Sequence, residues 1–303
     1  MEVSQRKSVL VIILNYVIMV LIWGSFPVAA RIGVQHAPPL LLSGMRFSLA
    51  FMLMAIVILA QGKKLRMKAG EHWRVFLIAL FMVGIPSSIF FAATPYAPVG
   101  VLTIMWSTTP IFTALFAMRD AGEVRGWKLL VSLLVGLSGV VTVLMDRLPF
   151  LPGSALNFAS KGTALIWEIA VLASASIYGF GIRMAKRNGP NVPVMVMTTW
   201  QLFYCGVFLL AMSLLFERGY PFAPTAITWG ALLYLAIFCS CISFFLTFWL
   251  IRRIGAIRTA YSDFVIPGIT LILSYFFVGE SLTLAKVFGL GLVILAVVLV
   301  QLP

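Results

Sequence analysis

Apolar stretches long enough to cross a bilayer recur along this chain, separated by short polar or proline-marked breaks. The pattern predicts ten helices, at about 9–32, 39–60, 74–94, 98–118, 127–146, 162–185, 193–216, 227–250, 256–277 and 283–302. A spanning helix needs roughly 20 predominantly apolar residues. The alternating segments of roughly ten residues that mark a membrane barrel are absent. The breaks differ in kind. Residues 31–38 close on Pro38 and Pro39, and the second break is basic, with Lys63, Lys64, Arg66, Lys68 and Arg74. Thr94 to Pro98 is a tight break, and the next one holds Arg119, Asp120, Glu123, Arg125 and Lys128. Asp146 to Lys161, with Pro149, Pro152 and Gly153, is the longest and reads as a linker between two halves.

The halves are related. Pro110, Thr113, Gly122 and Glu123 recur as Pro267, Thr270, Gly279 and Glu280, offset by 157. Gly24, Ala30, Arg31 and Pro38 match Gly179, Ala185, Lys186 and Pro193 at an offset of 155, as Gly100 matches Gly255. A duplicated pattern of this kind marks two structural repeats, expected at 1–148 and 162–303. Five spans per repeat is an odd number, so the second repeat enters the membrane from the opposite side. The expected fold is therefore an all-α integral membrane protein of ten transmembrane helices in two inverted five-helix repeats. In that architecture substrate sits near the mid-membrane between the repeats.

Composition agrees: 62% of the 303 residues are hydrophobic and 10% are charged, against roughly half and a quarter in soluble domains. The net charge of +13 would point to nucleic acid in a soluble protein. Here the basic residues cluster between apolar runs, so no nucleic-acid partner is expected. With the N-terminus in the cytoplasm, sixteen Lys and Arg fall on inner segments and five on outer ones. That bias places both termini inside and the linker outside. Cys205, Cys239 and Cys241 lie within apolar runs, and the chain shows neither a disulfide framework nor Cys/His metal spacing. No metal or cofactor is expected. The first apolar stretch is too long for a signal-peptide core and is kept as a span.

Arg46, Glu168 and Asp263 are the ionisable residues deepest in the spans. A charge in hydrocarbon is expensive and normally faces protein or water. Arg46 and Glu168 both fall about seven residues into the outer leaflet and are candidates to pair; Asp263 falls in the inner leaflet, toward Arg183 or Arg258. Such groups bind substrate charge, carry protons, or form structural ion pairs. Aromatic and hydroxyl residues crowd certain spans: Trp23, Ser87, Trp106, Ser107, Tyr178, Gln201, Tyr204 and Tyr261 join the three charged residues as the candidate substrate site. Tyr and Trp pair a flat apolar face with a polar tip; the same residue types also form interfacial belts and helix contacts. Pro110 and Pro267 interrupt helix hydrogen bonding and read as hinges or static bends. Glu123 and Glu280 stand just before spans, where a carboxylate favours the positive end of the helix that follows.

The order and duplication of these features resemble the drug/metabolite transporter superfamily, EamA type. They are the ten spans in two five-span repeats, Trp23-Gly24, Pro38 opening the second span with Arg46 inside it, and twin Pro-x12-Glu units. The similarity covers nearly the whole chain, and within the family the bacterial YddG-type exporters of aromatic amino acids are the most similar. The resemblance implies export of small metabolites across the inner membrane by alternating access, with a small-molecule substrate and the lipid bilayer as partners. The sequence does not fix the oligomeric state, and a monomer is the expectation. The second half departs at Tyr178-Gly179, where the first has Trp-Gly, and at Gln201, where the first has Arg46. A phosphate-rich solute would want several cavity bases, and only Arg46 lies deep, which fits a zwitterion such as an amino acid. An amphipathic cation, with Asp263 or Glu168 as counterion, is the alternative. A membrane enzyme has little support: His36 and His72 lie near span ends, and no protease or Walker motif is present. A passive pore is the third reading.

Overall fold

Prolines precede three of the described helices, and left-handed glycines follow two of them. The computed structural model describes residues 2–117, 126–145, 158–188, 193–254 and 262–301, and every regular element among these is helical. The helices are α1 (Glu2–Gly33), α2 (Pro39–Ala60), α3 (Ala69–Ala79), α4 (Ile85–Ala93), α5 (Val99–Trp106), α6 (Thr109–Ala117) and α7 (Gly126–Met145). After the long break follow α8 (Phe158–Asn188), α9 (Val194–Phe216), α10 (Ala226–Ala236), α11 (Ser243–Ile254), α12 (Ser262–Val278) and α13 (Leu284–Gln301). Helices α2, α5 and α9 each begin directly after a proline with extended ψ: Pro38, Pro98 and Pro193. Gly62 and Gly279, just past α2 and α12, have φ of 69° and 75°, a left-handed conformation that glycine adopts without strain.

Six runs are long and apolar enough to cross a membrane: Val9–Gly33, Pro39–Ala60, Ala69–Ala93, Gly162–Ala185, Val194–Phe216 and Ala226–Thr247. Val99–Thr113, Leu130–Val143, Val265–Val278 and Leu284–Leu299 are shorter apolar helices. Outward faces are apolar too, with Leu134, Ile166, Leu214, Phe276 and Leu284 exposed. An apolar exterior around an equally apolar core is what a lipid solvent requires.

Two features differ from the sequence expectation. The third and eighth runs each contain a π-helical segment, Leu80–Gly84 and Ile237–Ile242, at matching places in the two halves. The fourth run is not one proline-kinked helix: Ser107 and Thr108 form a turn between α5 and α6, and Pro110 is the second residue of α6. Proline is tolerated in a first turn because its missing N–H has no partner to lose. Pro267, its sequence counterpart, lies inside the continuous α12.

The halves are interleaved. Helix α1 packs along α12, α2 along α9, α6 along α8, and α7 along α13. Small residues permit the close crossings. A Cβ on Gly206 would stand 2.6 Å from Ser48 Oγ, and one on Gly289 would stand 2.7 Å from the carbonyl oxygen of Gly139. The twin motifs meet across the boundary: a Cβ on Gly24 would stand 2.5 Å from Ile269 Cγ2, and one on Gly179 would stand 3.0 Å from the backbone nitrogen of Thr113.

Candidate functional site

Helix α2 presents Ser43 and Arg46 one turn apart on the same face. Both are buried, Arg46 at 3% exposure. Arg46 Nε and Nη1 and Ser43 Oγ have no hydrogen-bond partner. The guanidinium carbon lies 4.3 Å from the ring centroid of Phe47, 4.8 Å from that of Phe26 and 5.5 Å from that of Phe91. Ring faces attract a cation, but they leave N–H donors without acceptors, and an unmade hydrogen bond on a buried charged group is costly. No hydrogen bond joins Arg46 to Glu168, the pairing expected from the sequence. Glu168 is itself fully buried, on α8.

Helix α9 carries the counterpart. Thr198 and Gln201 stand at the positions of Ser43 and Arg46, offset by 155, and both are buried. Thr198 Oγ1 and Gln201 Nε2 also lack partners. Gly44 lies against Leu210, Gly206 against Ser48, and the Phe51 and Phe203 rings are 5.0 Å apart. That register makes the helices antiparallel and sets the two pairs on either side of the centre of the crossing, with Arg46 and Gln201 about 10 Å apart along the axis at the usual helical rise. The π segments brace this pair of helices crosswise. Cys205 Sγ on α9 donates to the carbonyl of Ala79, which leads into the first segment, at 3.4 Å. Cys241 Sγ of the second segment donates to the carbonyl of Ala50 on α2 at 3.6 Å. Single π turns recur at functional sites.

An aromatic wall leads away from Arg46. The Phe26 ring is 5.5 Å from Phe90, Phe90 is 6.1 Å from Trp106, and Trp106 is 5.2 Å from Tyr178. Trp23 meets Phe26 edge-on at 6.2 Å. Four of the expected site residues, Trp23, Arg46, Trp106 and Tyr178, are thus brought together through the rings of Phe26 and Phe90.

The other expected residues are placed differently. Ser107 Oγ donates to the carbonyl of Thr103 at 2.8 Å, and Thr109 Oγ1 donates at 2.6 Å to the carbonyl of Trp106, the one four residues before Pro110. The hydroxyls crowding this run thus serve backbone carbonyls of their own broken helix, a use favoured where water is absent. Ser87 is half-buried on α4. Tyr204 Oη lies 2.7 Å from His72 Nδ1, in a ring cluster with Trp200, whose indole N–H donates to the carbonyl of Leu65. That cluster joins the start of α3 to the first half of α9, away from the Phe26 and Phe91 rings. Tyr261 lies outside the described residues, as does the side chain of Asp263. Ser43 was missed, although a hydroxyl three residues before Arg46, matched by Thr198 before Gln201 at one offset, was a readable signal. Among the described residues no three His, Cys, Asp or Glu side chains gather to hold a metal ion.

At one end of the bundle two carboxylates join the halves. Glu280 accepts from the backbone N–H of Val99 at 2.6 Å and of Gly100 at 3.1 Å. It therefore caps α5 of the first half, not the helix that follows it, as was expected; Glu123 lies outside the described residues. Glu217 accepts from the N–H of Leu40 and Leu41 at 2.7 and 2.9 Å and from Ser213 Oγ at 2.7 Å. Each carboxylate meets both the free donors and the positive end of a helix.

Comparison with known proteins places this geometry. A sequence model described as the EamA-like transporter family matches twice, over residues 10–145 and 165–302. The uncharacterized transporter YvbV of Bacillus subtilis (strain 168) is 27% identical, over 93% of this chain and 89% of its own. The uncharacterized inner membrane transporter YedA of Escherichia coli (strain K12) is 28% identical, over 93% and 88%. Protein PecM of Dickeya dadantii (strain 3937) is 26% identical, over 81% and 78%. One solved crystal structure, 20% identical, covers 94% of each chain with a TM-score of 0.65, a likeness of fold.

Proposed function

Because the chain belongs to the EamA-like transporter family, we propose that it is a secondary transporter of the inner membrane. It carries small metabolites, foremost aromatic and hydrophobic amino acids, out of the cytoplasm by alternating access. The observation that carries this reading is the matched contact of equivalent residues across the halves: Gly24 against Ile269 and Thr270, Gly179 against Phe112 and Thr113. Two repeats that hold each other by the same contacts have two equivalent arrangements available, and exchange between them moves a central site from one face to the other. In this reading ten helices cross the bilayer in repeats at 1–148 and 162–303, the second inverted, and both termini are cytoplasmic. The wall from Trp23 to Tyr178 suits a flat side chain. Relatives named as transporters, one of them of the inner membrane, support transport over enzymatic chemistry. Purified protein in liposomes tests it: saturable counterflow of labelled phenylalanine is expected, and ohmic single-channel current in place of counterflow contradicts it.

A further inference from the structure

We infer that Ser43 and Arg46 form a carboxylate subsite, with Thr198 and Gln201 as its uncharged counterpart. The substrate class is then an organic monoanion or zwitterion with an apolar, preferably aromatic, body. This rests on the transport reading of the same site and decides between its amino-acid and cationic-drug versions.

Four observations converge. Arg46 cannot shed its proton to escape burial, because a guanidinium keeps its charge in proteins. Its Nε and Nη1 donors and Ser43 Oγ, one turn away, all lack protein partners, so the group they are built to receive is an acceptor, and the charge that balances the guanidinium is negative. A carboxylate supplies both, in charge-assisted hydrogen bonds that are about twice as strong as neutral ones. A single buried guanidinium balances one negative charge, which fits a carboxylate and leaves a phosphate dianion half compensated. The rings stacked on the guanidinium, Phe26 and Phe91, lead through Phe90 and Trp106 to Tyr178, so an acid head held at Arg46 lays its body on a ring surface. A protonated amine at Arg46 would meet like charge at a buried site.

The symmetry adds the second part. Thr198 and Gln201 repeat the pair on α9 with the same buried, unpartnered polar atoms, but Gln201 carries no charge. The two halves therefore offer one charged and one neutral polar station on either side of the α2–α9 crossing. A ligand with a single carboxylate has one preferred orientation, which a symmetric pair of arginines would not impose.

The test uses the full protein in liposomes and four probes against labelled phenylalanine counterflow. The probes are phenylalanine, 3-phenylpropanoate (no amine), phenylalaninamide (no carboxylate) and 2-phenylethylamine (amine alone). Phenylpropanoate is expected to compete within about tenfold of phenylalanine, and the two probes lacking a carboxylate to compete about 10- to 100-fold more weakly, the range of a lost hydrogen bond to a charged group. Arg46→Gln is expected to abolish that preference, and Ser43→Ala to reduce it several-fold while keeping the buried cation. If Arg46→Gln does not fold, Ser43→Ala and the wild-type probe ranking carry the test. Equal competition by phenylethylamine and phenylpropanoate in the wild type, or an unchanged preference in Ser43→Ala and Arg46→Gln, overturns the carboxylate subsite and leaves transport standing. Absence of counterflow for phenylalanine and all three analogues overturns the transport reading itself.

Discussion

Thr270 Oγ1 donates a hydrogen bond to the backbone carbonyl of Gly24 across 2.7 Å, joining residues 246 positions apart. Thr270 belongs to the second copy of the duplicated motif and Gly24 to the first half. The glycine is required because its helix passes so close to α12 that a Cβ would overlap Ile269. Gly24→Ala is expected to destabilise the protein by about 1–3 kcal/mol, the usual range for overpacking, seen as a lower melting temperature in detergent. Ile269→Ala in the same chain should recover part of that loss. Strict additivity of the two changes would show that the contact is not the cause.

The carboxylate clamps make a separate prediction. Glu217→Ala and Glu280→Ala each remove the carboxylate that accepts from two backbone N–H groups at a helix start, a change that typically costs about 0.5–2 kcal/mol. Because both clamps tie second-half residues to first-half helices at one end, each variant should also raise thiol reactivity at a cysteine placed at Tyr96, beside that end. Melting and labelling no different from Lys63→Ala, an exposed side chain bonded only to Gln61, would reduce the clamps to ordinary surface groups.

The prolines are not equivalent in space. Pro110 follows a helix break whose carbonyls are held by Thr108 and Thr109 hydroxyls, whereas Pro267 sits inside a continuous helix. Pro110→Ala restores a donor beside that break and is expected to slow counterflow at least several-fold more than Pro267→Ala does, with expression matched. Equal slowing by both would restore the symmetric hinge that the duplication alone suggests.

Site placement is tested by two aromatic substitutions. Tyr204→Phe removes only the hydroxyl that meets His72 and should leave phenylalanine affinity within about twofold. Trp106→Ala breaks the wall between Phe90 and Tyr178 and should weaken it by about tenfold, the scale of one aromatic contact plus its burial. The reverse order would move the site to the Trp200–Tyr204 cluster.

Much of this fold was legible because lipid forces long apolar runs and short breaks, so the helix positions follow from hydropathy and proline alone. The duplication exposed Gly24, Gly179, Thr113 and Thr270, but not that each glycine meets the threonine of the other half, since a repeat reports ancestry and not its partner in space. Arg46 stood out as a charge in an apolar run. Ser43 did not, because small hydroxyls in membrane helices usually satisfy their own backbone, as Ser107 does. The π segments at Leu80–Gly84 and Ile237–Ile242 have no compositional signature. Glu280 misled for a physical reason: a carboxylate between two helices has more than one helix start within reach, and only tertiary packing chooses.

The central claim is that the site around Arg46 opens in turn to each face of the membrane. The most direct measurement labels a single cysteine at Ser43 with an impermeant thiol reagent, applied from one side and then the other, in a chain whose Cys205, Cys239 and Cys241 are replaced by alanine. Phenylalanine gradients of either direction are expected to shift the populations. The cysteine is expected to react from both sides in separate experiments, with every condition that raises reactivity from one side lowering it from the other. Reactivity that rises and falls together on both sides, or none from either side, would contradict alternation and leave Ser43 and Arg46 in a static core.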